Sequence, residues 1–130
     1  MLKPLVVVTF PVSNLKAAIV LYGKLLNLVH VPVSHDAVYF DCGDFRLELV
    51  QTAKTEHKHD GAGNIQVHTD DIEADFERWT DLGLTPPEHI DRSSLYSTMG
   101  HTEIQFIDRD GNIVVLSGSG RLSSQNRNSG

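Results

Sequence analysis

The stretch VSNLKAAIVLYGKLLNL, residues 12–28, has a second copy in HTDDIEADFERWTDLGL, residues 68–84. At a shift of 57 positions, Asn14-Leu15, Ile19, Tyr22 and Leu25 fall on Asp71-Ile72, Phe76, Trp79 and Leu82. Each copy has a capping residue followed by apolar residues at helical spacing. Each follows a strand-like run, Val6 to Val12 in one and Asn64 to His68 in the other. An internal repeat constrains the whole architecture. Two copies in a short chain predict one domain of two similar halves, with a site where the halves meet.

Working outward, residues 5–12, LVVVTFPV, are β-branched and read as a buried strand. Asn14 caps a helix from Leu15 to Leu26, whose apolar face holds Leu15, Ala18, Ile19, Tyr22, Leu25 and Leu26. Val29 to Val33 is a short strand weakened by Pro32. AVYFDC and DFRLELVQ form a hairpin around Gly43-Asp44. Residues 53–62 are polar with late glycines and read as a linker.

The second half opens with GNIQVH as a strand. Asp70 or Asp71 caps a helix from Ile72 to Leu82, and Gly83 is its stop. A weak strand near His89 to Asp91 follows Pro86-Pro87. TEIQFID and NIVVLSG make a last hairpin around Asp110-Gly111. The order is βαβββ twice, an α+β fold with modules at about 5–52 and 63–118 in a single domain, 1–118. Residues 119–130 read as a polar tail.

Composition narrows the function. The 130 residues carry 17 acidic and 11 basic side chains, a formal net charge of −6. Nucleic-acid backbones and anionic membranes want clustered Lys and Arg, so neither is expected as a partner. The single Cys42 can form no internal disulfide and no cysteine zinc site. Pro4, Pro11, Ser13, Asn14 and Lys16 interrupt the apolar N-terminus, and no run reaches the roughly 18 apolar residues of a membrane span. A cytoplasmic protein is expected.

Three segments resemble the vicinal oxygen chelate superfamily, which includes glyoxalase I, bleomycin resistance proteins, fosfomycin resistance thiol transferases and extradiol dioxygenases. They are VSNLKAAIVLYGKLLNL at 12–28, HTDDIEADFERWTDLGL at 68–84 and FIDRDGNIVVLSG at 106–118. The last is similar to the family's aspartate-proline-aspartate-glycine hairpin, with Arg109 where proline is usual. The resemblance covers about residues 5 to 118. It implies two paired βαβββ modules forming a curled sheet around a cleft, and a homodimer. It also implies metal ligands on the first and fourth strands of each module, here Val7, Glu48, Asn64 and Val115. Valine has no donor atom and Asn64 is a poor transition-metal ligand, so only Glu48 suits the role. No metal, other cofactor or catalytic residue is therefore assigned.

Strand side chains alternate, so residues two apart from those positions share their face. That face carries Thr9, Arg46, Glu48, Asn64, Gln66 and His68. By alignment with the family, Tyr39, Asp41, His101, Glu103 and Gln105 join it. The other face, with Val8, Phe10, Phe40, Leu47, Leu49, Ile65, Val67, Ile104, Phe106, Val114 and Leu116, is apolar and faces the helices. Buried polar groups need partners, water or ligand. Either Arg46 is satisfied by Glu48 or Asp41, or the face is a wet, mildly anionic pocket. The second reading predicts a small-molecule binding protein of the bleomycin-resistance type. It would be independent of metal and would sequester a cationic drug-like ligand, as in antibiotic resistance.

The alternative is a divergent glyoxalase-like lyase or isomerase with a divalent metal relocated to Glu48, His68, His101 and Glu103. A non-catalytic dimerising module is a third reading. Trp79 and Tyr22 read as core, and Cys42 as a small buried residue. His57, His59 and Asp60 read as a solvated stretch, and Ser93 and Ser94 sit in no nucleophile motif.

Overall fold

The computed structural model describes residues 2–52, 64–86 and 101–119, with only the backbone of His101 and Ser119. The first half runs β1 (Val6–Val12), α1 (Leu15–Leu26), β2 (Val31–Ser34), β3 (Ala37–Asp41) and β4 (Phe45–Gln51). The second runs β5 (Asn64–Thr69), α2 (Ile72–Asp81), β6 (His101–Ile107) and β7 (Ile113–Ser119). The expected linker, the strand near His89 to Asp91 and residues 120–130 of the polar tail lie outside the described residues, while Ser119 ends β7.

The contacts divide into two units. The first holds β1 to β4, α1 and the turn 110–112; the second holds α2, β6, β7 and β5 from Ile65. The first sheet has the order β1-β4-β3-β2 and the second the order β5-β7-β6. This is the α+β pattern of the expected family fold.

Both helices begin where the sequence places a cap. Asn14 lies in extended backbone, and its Oδ1 accepts the Ala17 N–H at 3.1 Å. Asp71 does the same for Ala74 at 3.2 Å, with Glu73 and Asp75 adding negative charge at the positive helix end. The helices end differently. Gly83, at φ 107°, lets its N–H reach the Thr80 carbonyl and lets Leu84 reach that of Trp79. These two bonds form a Schellman motif. Helix α1 stops on Asn27 at φ 59°, the one non-glycine residue with positive φ among those described. Asparagine tolerates that left-handed conformation better than most side chains.

In the first unit β1 runs parallel to β4, pairing Val7 with Arg46 and Thr9 with Glu48. Strand β3 runs antiparallel to β4, pairing Tyr39 with Glu48 and Asp41 with Arg46. Strand β2 begins two residues later than the sequence suggests. Its proline is tolerated because β2 is the sheet edge, where a missing N–H breaks no inner ladder. The register slips between Pro32 and Ser34.

Each sheet buries the face that alternation assigns to the helices. Phe10, Phe40, Leu47 and Leu49 are fully buried in the first unit, beneath α1. The Phe10 ring meets Tyr22 edge-on at 5.7 Å. In the second unit Trp79 of α2 meets Phe106 at 5.2 Å, and Phe76 meets the same ring at 5.6 Å. Tyr22 and Trp79 are therefore core residues, as their spacing predicts. Val8 and Val67 are only half-buried.

Candidate functional site

The opposite face of the first sheet is set by β4. Arg46 and Glu48 stand two residues apart, so the pleat points both the same way. Strand β1 brings Thr9 beside Glu48, and its hydroxyl donates to Glu48 Oε1 at 3.1 Å. Strand β3 brings Tyr39 to the other side, and the Arg46 guanidinium lies 4.2 Å above its ring centre. Cation–π contact of this kind stabilises by about 0.5–1 kcal/mol when partly exposed.

The neighbouring strands therefore hold the two charges of β4 apart. Thr9 engages Glu48 from β1, while Tyr39 engages Arg46 from β3. Among the described residues no carboxylate lies within ion-pair distance of Arg46. The expectation that Glu48 or Asp41 satisfies Arg46 gives way to stacking on Tyr39. Asp41 is engaged locally instead, where Oδ1 accepts the Gly43 N–H at 3.0 Å and ties the hairpin turn. Tyr39, Arg46 and Glu48 are half-buried, and Thr9 and Asp41 are exposed.

Tyr39, Arg46 and Glu48 line an open pocket of about 490 Å³. Val7 of β1 and Val31, Pro32 and Val33 of β2 complete its lining, and the strand order sets them on opposite sides of the β4 and β3 side chains. The three β2 residues were not among the sequence-derived candidates. The available signal was an edge strand that keeps valines on both sides of a proline without polar alternation. Val7, Val31 and Val33 remain 48%, 38% and 56% exposed, so these apolar side chains are open to a ligand.

The remaining candidates lie on the second sheet. Asn64, Gln66 and His68 alternate along β5 and are all exposed. Gln66 donates through Nε2 to Glu103 Oε2 at 3.3 Å, joining β5 to β6 on that face. Glu103 and Gln105 are both exposed on β6. His101 begins that strand opposite Ser119, but its side chain is outside the described set.

The donor atoms do not suit the metal site that the family resemblance implies. Val7 and Val115 cannot coordinate, and the Glu48 carboxylate has the Arg46 cation on the same face. Among the described residues, no three of His, Cys, Asp and Glu come together as a metal group. Cys42 is half-buried, and burial pushes its thiol pKa up, with the nearby Asp41 charge adding to the rise. A backbone hydrogen bond from Leu47 opposes that rise. A raised pKa keeps the thiol protonated and a poor nucleophile.

Among the described residues no helix is long and apolar enough to cross a membrane. The fold is similar to that of a glyoxalase-related enzyme from Fulvimarina pelagi, with a TM-score of 0.70 and 16% identity over 91% of this chain and 89% of that one. It is similar to the fosfomycin resistance protein FosX from Mesorhizobium loti, with a TM-score of 0.62 and 23% identity over 97% and 99%. A third similar structure is the bleomycin-binding protein of bleomycin-producing Streptomyces verticillus complexed with copper(II)-bleomycin, with a TM-score of 0.59 and 22% identity over 93% and 100%. No curated protein is significantly similar in sequence. The model of the Glyoxalase/Bleomycin resistance protein/Dioxygenase superfamily matches residues 5–116, and the chain belongs to that superfamily.

Proposed function

We propose that this chain is a metal-independent small-molecule binding protein that sequesters a cationic drug-like ligand. The observation that carries the reading is the first-unit pocket, where exposed valines and a proline flank Tyr39, Arg46 and Glu48. Small-molecule sites combine apolar walls with a few placed polar groups. The Glu48 carboxylate offers an acceptor for a ligand cation, and the Tyr39 ring offers an aromatic surface. Thr9 and Asp41 remain candidate ligand contacts on the first sheet, and Asn64, Gln66, His68, His101, Glu103 and Gln105 remain candidates on the second. The residues at the family's metal positions supply too few donors for metal chemistry. The likeness in fold to a bleomycin-binding protein supports the ligand class.

Calorimetric titration with bleomycin tests this, using protein stripped with a chelator and then freed of it. Saturable binding by the stripped protein is expected, weakened at least tenfold in Glu48→Gln. Absence of binding to bleomycin and to other basic aromatic ligands would reject the reading. Binding that requires a divalent ion on the protein would favour the relocated-metal lyase instead.

A further inference from the structure

We infer that the first-unit pocket selects an amphoteric ligand, one that presents an ammonium to Glu48 and a carboxylate to Arg46 across a short apolar body. The inference rests on the proposed binding reading and narrows its ligand class. Its ground is an arrangement of charges that does not satisfy itself. Arg46 and Glu48 share a face two residues apart on β4, a span of about 6.6 Å along a strand. Long side chains at that spacing can reach each other, yet these two do not pair. Tyr39 holds the guanidinium from β3, and Thr9 holds the carboxylate from β1.

Stacking occupies one face of a guanidinium and leaves its N–H edge for an acceptor. Arg presents that edge as a planar fork, which matches a carboxylate with two parallel hydrogen bonds. Thr9 uses one lone pair on Oε1 of Glu48. A carboxylate can accept about four hydrogen bonds, so acceptor capacity remains for an ammonium. Val7, Val31, Pro32 and Val33 line the same pocket and suit an apolar spacer. The half-burial of both charges makes their pairing with a ligand stronger than in open water. A cationic ligand without a carboxylate would engage Glu48 and leave the Arg46 fork without an acceptor. A purely anionic ligand would leave Glu48 in the converse position.

The test uses three matched probes, 4-(aminomethyl)benzoate, 4-methylbenzylamine and 4-methylbenzoate, titrated into the full chain and followed by calorimetry or ligand-observed magnetic resonance. The amphoteric probe should bind at least tenfold more tightly than either singly charged analogue. Arg46→Gln should remove its advantage over 4-methylbenzylamine only. Glu48→Gln should remove its advantage over 4-methylbenzoate only. Far-ultraviolet circular dichroism of both variants establishes that they are folded. Equal affinities for the three probes, with bleomycin still bound, would overturn the charge-pair inference and leave the binding reading intact. Absence of binding by all three probes and by bleomycin would overturn both.

Discussion

Gly118 on β7 faces the carbonyl oxygen of Thr69 so closely that an added Cβ would lie 2.5 Å from that atom. No real Cβ tolerates that distance from a backbone oxygen, which cannot swing aside as a flexible side chain would. The contact lies at the end of β5, where Thr69 also organises the start of α2. Its hydroxyl donates to Asp75 Oδ2 and accepts the Asp71 N–H at 3.0 Å. Gly118→Ala must therefore separate β7 from β5 or distort this turn. Overpacking of this kind costs about 1–3 kcal/mol. Urea denaturation followed by Trp79 fluorescence should show that loss as a lower midpoint at an unchanged slope. A midpoint equal to wild type would mean that the strands part without cost. Nothing in the sequence marked Gly118 for this role, because it reads simply as the end of an apolar strand.

At the scale of the element, the two helices were legible because their ends are chemical as well as periodic. Asp71 satisfies the Ala74 N–H, so Asp71→Ala leaves that donor without its side-chain partner and removes negative charge from the helix start. A cost of about 1 kcal/mol is expected. It should appear as a lower thermal midpoint with little change in circular dichroism of the folded state. Strand faces were legible for a similar reason. Alternation separates Phe10, Leu47, Leu49, Ile104 and Phe106 from their polar neighbours without any knowledge of pairing, and all five are buried. The relations between neighbouring side chains on a face were not legible. Arg46, two residues from Glu48 in sequence, reads equally as an ion pair or as part of a wet pocket. Only the register that sets Tyr39 and Thr9 on opposite sides of Glu48 shows why each charge turns to a different strand. Strand β2 was blurred because its proline weakens the strand pattern, while only sheet order reveals that β2 is an edge.

For the whole molecule, the family follows from a sequence pattern that spans most of the chain, whereas the ligand depends on site side chains that a shared fold does not set. The superfamily match spans 5–116, yet two of the four family metal positions are Val7 and Val115. Net charge is a further property of the whole chain, and it bears on how a ligand arrives. With 17 acidic and 11 basic side chains, the mean field attracts cations from beyond contact range. Salt shortens that reach, from about 30 Å at 0.01 M to about 8 Å at 0.15 M. A basic ligand should therefore associate several-fold more slowly when salt is raised between those limits. Its dissociation rate should change less, because contacts within the pocket are at short range and screened weakly. Surface plasmon resonance with immobilised protein and bleomycin in solution separates the two rates. A salt effect confined to dissociation would place the electrostatic contribution in the pocket contacts of Glu48 rather than in the field of the chain. Equal insensitivity of both rates would indicate a ligand held by apolar contact with Val7, Val31 and Val33, with charge contributing little to its capture.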